Sequence, residues 1–339
     1  LKEPRIEGIT SGDMTIEDPY NKLKIYLNAQ TDQTRFEGDS IGITTLNAFW
    51  DNDKMRASYY LISDNQDYKF GVQGNLNLED SLNQLIDAEF DITNAKLTIL
   101  ERYIGEVFSG IEGIAQGKLR IAGNLNNPDL TGTVKVLNGG MKVEYTQCYY
   151  KLLDPVIQFK PGKIEFGEIR IRDQEGNEGL VKGTLGHRFF KDFVYDFTAS
   201  SNRMLVLNTT KLDNSYFYGK VIGRVNFVFT GPDDEMEMFV DGEPVDSSVL
   251  SIVTTDASKE TGEVDYIVWR QYGREMNLDS LSRPGSNLSI DLSVTANPLL
   301  KMNVILDELS GDVISANGSG NVKLHTGTSE SLTLNGRYD

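Results

Sequence analysis

The chain has 339 residues, 39% of them hydrophobic and 24% charged, and a formal net charge of −17. That balance belongs to a folding chain rather than a disordered one, and the lack of any 18-residue apolar run excludes a membrane-spanning helix within it. The negative charge repels phosphate backbones and anionic lipid surfaces alike, which argues against nucleic-acid binding and against electrostatic docking on an acidic membrane.

The sequence opens on Leu1 with no basic n-region or apolar h-region behind it, so we expect a stretch of a longer polypeptide whose signal or anchor lies outside. Residues 1–96 alternate in the manner of strands: "LKIYL" puts Leu23, Ile25 and Leu27 on one face. A helical turn is expected at "SLNQLID", Ser81 to Asp87. Next, "LTILERYIGEVFSGIEG" places Leu97, Leu100, Ile104, Val107, Phe108 and Ile111 on one stripe at helical period. Thr98 and Glu101 have capping-box spacing and Gly110 or Gly113 supplies a stop, which predicts one amphipathic helix within 97–113.

From residue 114 the idiom is strand and turn. In "GKLRIAGNLNNPDLTGTVKV", Leu119 and Ile121 alternate with charges, a Pro-containing turn follows, and Val134 and Val136 alternate in turn. In "KIEFGEIRI" the parity slips between Ile164 and Phe166 on one side and Ile169 and Ile171 on the other, which predicts a bulge at Gly167. "RFFKDFVYDF" reads as a strand with Phe189, Phe193, Tyr195 and Phe197 at even spacing. "VNFVF" gives Val225, Phe227 and Phe229; "LSIDLSV" gives Leu288, Ile290, Leu292 and Val294; "LKMNVIL" gives Leu300, Met302, Val304 and Leu306. Turns are expected at Asn127-Pro128, Asp154-Pro155, Gly231-Pro232 and Asn297-Pro298, too unevenly spaced for a solenoid of fixed repeat.

Chemistry is sparse. His187 and His325 sit in no metal-binding or nucleophile-activating motif, and no phosphate-binding loop or nucleophile elbow occurs. The carboxylates of Asp51 and Asp53, and of Asp233, Asp234 and Glu235, lack calcium-loop spacing and read as solvated turns. Cys148 is alone, so neither an intrachain disulfide nor a cysteine-rich zinc site forms. Tyr216 and Tyr218 could stack on sugars, but fit strand packing better. No enzyme, no metal and no cofactor is expected.

A chain of this length divides into about 25 strands, whereas a helix of ~15 residues is only about 22 Å long and roofs few of them. Either two sheet faces close on each other, or something the chain does not encode fills the gap. Alternation alone leaves both open and favours the commoner sheet-on-sheet core.

The second half carries a resemblance. "RD..GN..LVKGTLGHRFFKDF", "LVLNTT..DNSYFYGK" and "G.V.F.FTGP", followed by "SGDVISANGSGNVKL" and "LNGRYD", resemble the TamB translocation-and-assembly family, especially its Bacteroidota relatives; with the stretch from Leu97 the similarity runs to Asp339. The resemblance implies an all-β fold, a long curled antiparallel or mixed sheet forming an open hydrophobic groove, as in the AsmA-like bridge-like lipid-transfer proteins. Residues 1–96 would continue into 114–339 as one extended domain. It implies a periplasmic location, an inner-membrane anchor outside this stretch, and an outer-membrane β-barrel partner of the TamA type met through regions beyond it. Phospholipid acyl chains would then lie on Leu119, Ile121, Val134, Val136, Ile164, Phe166, Val225, Phe227, Phe229, Leu288, Ile290, Leu292, Val294, Met302, Val304 and Leu306. A scaffold that presents sheet edges to barrel proteins without conducting lipid is the alternative.

Overall fold

The computed structural model describes residues 5–36, 38–80, 83–105, 107–188, 191–214, 217–253, 270–271, 274–275, 287–307, 310–328 and 333–339. The strands are β1 (Ile6–Glu17), β2 (Lys24–Phe36), β3 (Asp39–Asp51), β4 (Arg56–Asp64), β5 (Tyr68–Asn77), β6 (Leu85–Lys96), β7 (Phe108–Asn124) and β8 (Asn127–Val143). They continue as β9 (Cys148–Leu153), β10 (Val156–Lys160), β11 (Lys163–Asp173), β12 (Glu178–Arg188), β13 (Lys191–Thr209), β14 (Phe217–Pro232), β15 (Glu235–Pro244) and β16 (Ser248–Val253). After a two-stranded ribbon, β17 (Arg270–Gln271) and β18 (Arg274–Glu275), come β19 (Asn287–Ala296), β20 (Leu300–Asp307), β21 (Asp312–Asn317), β22 (Gly320–Gly327) and β23 (Thr333–Tyr338).

All but the ribbon join one curled, mixed sheet of 21 strands. β1 through β8 form an antiparallel meander. β9 and β10 share the next lane, each bonded to β8 on one side and β11 on the other. The lane breaks at Asp154–Pro155, where Asp154 takes φ 48° and the proline has no N–H to give the ladder. β11 to β14 continue the meander. β15 and β16 share a lane beside β14, and here the direction changes: β19 runs parallel to β15, and β20 parallel to β16. β22, β21 and β23 complete the sheet antiparallel. One sheet stands where sequence patterning favoured two in a sandwich.

Turn chemistry explains the hairpins. The side-chain oxygens of Asp51, Asn65, Asn77, Asn124 and Asn297 each accept the backbone N–H two residues on, at 3.1, 2.7, 3.0, 3.0 and 3.0 Å. These are Asx turns, in which the side-chain oxygen takes the place of a backbone carbonyl as the chain folds back. Of the four expected proline turns, Asp154-Pro155 and Asn297-Pro298 separate strands, while Asn127-Pro128 begins β8 and Gly231-Pro232 ends β14.

The bulge expected at Gly167 is present: the β11–β12 register shifts between Glu165 and Gly167, and Gly167 takes φ 62°. The shift returns Ile169 and Ile171 to the face of Ile164.

Three elements differ from expectation. The helix is confined to a 3-10 turn, Leu97–Leu100, and one α-turn, α1 (Glu101–Ile104), and the chain is a strand again at Phe108. Gly105, Gly110 and Gly113 fall within the expected helix, and Gly110 (φ 54°) and Gly113 (φ 118°) serve bulges that no helix could hold. The capping pair makes no cap bond; Glu101 instead accepts the Gly110 N–H at 3.1 Å. The helical turn expected over Ser81–Asp87 is contradicted from Leu85, where β6 begins; Ser81 and Leu82 lie outside the described residues. Finally, Arg188 and Phe193 belong to two strands, since β12 ends at Arg188 and pairs it with Lys191 of β13; Phe189 lies outside the described residues.

Candidate functional site

Cross-strand partners in a ladder face the same side, so register carries a face from strand to strand. Starting at Gly12 of β1, partners run Ala29, Leu46, Leu61, Val72, Phe90, Leu119, Gly132, Phe159, Ile164, Leu185 and Tyr195, one on each successive lane. At a lane spacing of 4.7–4.9 Å this row is about 50 Å long. A neighbouring row runs Val181, Ala199, Phe227, Val240, Leu292 and Leu324 into the last strands. Flanking partners are Met14, Leu27, Ala48 and Tyr59 at one end, and Phe197, Phe229, Met238 and Ile290 at the other. None of these positions carries a charge.

The opposite face carries ion pairs over β6, β7, β11, β12, β14 and β15. Arg120 donates to both oxygens of Asp87 at 2.7 Å, and that bond holds the Asp87 carboxyl below the usual carboxylate range. Lys118 pairs with Asp91 at 3.0 Å, Lys182 with Glu168, and Arg224 with Glu243 at 3.0 Å. Such exposed pairs add little stability, but they mark which side meets water.

Most of the residues expected to line a dry face meet on the apolar side. Leu119, Ile121, Val134 and Val136 of β7 and β8 share it with Ile164. Phe166 stacks against Phe197 at 5.3 Å, and Phe229 against Tyr195 at 5.1 Å. Val225 and Phe227 lie across β14 from Gly242 and Val240, and Leu288, Ile290, Leu292 and Val294 continue them on β19. Met302 packs with Ala296, Leu300 and Val322, and Val294 and Val304 lean on that cluster. Leu306 departs: the register shifts between Ile305 and Asp307, so Leu306 is 47% exposed while Ile305 is buried. Register also reveals members that sequence patterning left unassigned in residues 1–96, among them Trp50, Leu61, Val72 and Phe90.

A second feature fastens the strand ends. Asp173, buried at the close of β11, accepts the N–H groups of Glu175 and Asn177 on Oδ1, and the Asn177 amide and the Leu205 N–H on Oδ2, at 2.9, 2.9, 2.9 and 2.7 Å. The β11–β12 turn is thereby tied to β13. Beside it, Cys148, Leu205 and Ile222 form a closed cluster, and the Tyr150 hydroxyl donates to the Leu205 carbonyl at 2.9 Å.

Burial pushes the Cys148 thiol up to about 11, and the side chain is fully buried. The thiolate is the reactive form, so we expect maleimide labelling of native protein at pH 7.5 to be slower than that of urea-unfolded protein by on the order of 100-fold. Comparable rates would show that the cluster opens freely.

The histidines and turn carboxylates singled out in the sequence lie apart from one another in the sheet. His325 Nδ1 lies 2.8 Å from Asp291 across β22 and β19, and His187, next to last in β12, donates its backbone N–H to the Gly162 carbonyl. Burial holds the His187 imidazole below the usual histidine range. Asp51 caps its own turn, and Asp233 and Asp234 form the β14–β15 turn. Among the described residues no cluster of three His, Cys, Asp or Glu side chains could hold a metal, and no helix is long and apolar enough to cross a membrane. Tyr218 lies on β14 opposite Ser251; Tyr216 is outside the described residues.

With this geometry in view, a family profile described as TamB C-terminal domain matches residues 167–339. No curated protein and no solved structure matches.

Proposed function

Because the chain belongs to the TamB family, a family of the cell envelope, we propose that its apolar face shields phospholipid acyl chains on their way between the inner and outer membranes, in support of outer-membrane assembly. The observation that carries this reading is the uncharged face itself, continuous from β1 to the last strands of a single sheet. Each buried CH₂ of a tail contributes about 0.8 kcal/mol of transfer free energy, so an uninterrupted apolar row lowers the barrier to moving lipid through water without any reaction being catalysed.

In this reading the sheet curls into a groove in the periplasm, with an anchor and a TamA-type barrel contact supplied by other parts of the protein. Lipid extraction from purified protein, delipidated and reloaded with phospholipid vesicles, tests it by mass spectrometry. Phospholipid should be retained, and a photoreactive residue at Phe227 or Ile290 should crosslink to it. A lipid-free protein with no crosslink at either position refutes the proposal. The alternative, a scaffold that hands strands to barrel proteins, draws on β1, which pairs on one side with β2 and carries exposed Ile6, Ile9 and Met14. Crosslinks to barrel precursors at β1 but none on the apolar face would favour it.

A further inference from the structure

The water-facing side of the sheet is not uniform. Over β6 and β7 it is charged, with Asp87, Glu89, Asp91, Lys118 and Arg120 in register. Over β2 to β5 it carries no charge across three successive rows. One row is Tyr26, Phe49, Ser58 and Asn75; the next is Asn28, Asn47, Tyr60 and Gln73; the third is Gln30, Thr45, Ile62 and Gly71. Asp13 borders the patch on β1, and the acidic residues of β6 border it on the other side. Four lanes by three rows make a surface of about 14 by 14 Å.

We propose that this patch is a binding platform for an uncharged polysaccharide bearing acetamido groups. Tyr26 and Phe49 lie 4.8 Å apart with rings tilted by 32°, and Tyr60 stands diagonal to them, 46% exposed. Cross-strand packing accounts for Phe49 under Tyr26. It does not account for Tyr60, whose row partners are Asn47 and Gln73. Aromatic faces take the C–H faces of sugar rings, and the Asn28 and Asn47 amides present both the donor and the acceptor that an acetamido group needs; Gln30 and Gln73 already donate to Asp32 and Glu89 at 3.0 and 3.2 Å, and Asn75 accepts from Ser58 at 2.7 Å. Among the described residues the Asn28 and Asn47 amides hold no intramolecular side-chain bond.

Charge complementarity sets the ligand class. In a chain of net charge −17, twelve neighbouring exposed or half-exposed positions without an ion would neither repel an uncharged polymer nor hold an anionic one. Strand addition is excluded at this place, because the backbone groups of β3 and β4 are consumed on both sides by the ladder.

The test is calorimetric titration of the 339-residue chain with a hexamer of β-1,4-linked N-acetylglucosamine, and with the corresponding glucose hexamer. We expect saturable binding of the first, weakened roughly tenfold or more for the second, which lacks the amides. The Tyr26→Ala/Tyr60→Ala double variant should lose at least about tenfold in affinity. Should that variant fold poorly, Asn28→Asp/Asn47→Asp alters only exposed positions and should show the same loss. Absence of saturation to about 1 mM hexamer, unchanged affinity in the folded variants, or occupation of the patch by a peptide in place of the hexamer would overturn the proposal. None of these results bears on lipid retention by the other face.

Discussion

Replacing Asp173 with alanine is expected to cost the protein about 3–5 kcal/mol of stability. The carboxylate accepts four hydrogen bonds, three from its own turn and one from Leu205 N–H on another strand. Hydrogen bonds to a charged group are the stronger kind, and Leu205 is fully buried, so its N–H would be left without a partner. Burial pushes the Asp173 carboxyl up, but the bonds from the Asn177 side chain, Leu205, Asn177 and Glu175 outweigh it and hold the group below the usual carboxylate range. The sign follows from that depression. The stability is fully present above the unfolded value of about 3.9 and is lost as pH falls through the lower, folded value. Asp173→Asn, which turns a donor toward two donors on Oδ2, should be destabilised at neutral pH, and its deficit should shrink below about pH 4 as the wild-type carboxyl protonates. Urea midpoints followed by circular dichroism from pH 3 to 7 measure both. Equal midpoints for wild type and Asp173→Ala would mean that the strand ends are held by other contacts.

That carboxylate shows how far the sequence could be read. The string "RD..GN" helped to mark the family, yet its work, one acceptor serving a turn and a strand thirty-two residues away, depends on distant proximity that no spacing encodes. The apolar face was legible because β-alternation is local: Leu119 and Ile121, or Ile290 and Leu292, declare their side within a few residues. Even the bulge at Gly167 was legible, since one extra residue inverts parity and glycine supplies the left-handed turn.

The expected helix failed because its stripe joined two things. Leu97, Leu100 and Ile104 do turn helically, whereas Phe108 and Ile111 belong to a bulged strand whose spacing imitates the helical period. The three glycines in the segment were the contrary signal. The parallel step from β15 to β19 was invisible for another reason: Met238 and Ile290 fit either direction equally, and only the ladder decides. On the wet face, nothing local joins Asn28, Asn47 and Tyr60; register alone sets them in one row.

Charge placed on the apolar face should separate a lipid surface from an ordinary core. Phe227 lies between Ala199 and Val240, and Ile290 between Met238 and Thr326; both are only half-buried. In a sealed interior, an unpaired carboxylate at either place would cost several kcal/mol and unfold much of the population. At a half-open face the same carboxylate keeps part of its water, and the loss is closer to the ~1–1.5 kcal/mol of half a side-chain burial per site. The double variant Phe227→Asp/Ile290→Asp should therefore fold, with a melting temperature lower by about 3–4 °C. It should retain at most about a tenth of the phospholipid held by wild type, because acyl chains must then cross two ions where the row is otherwise apolar. Thermal melts and lipid quantification on the same preparation decide the matter. Collapse of the fold would identify an interlocked core, and full lipid retention in a folded variant would place the lipid elsewhere.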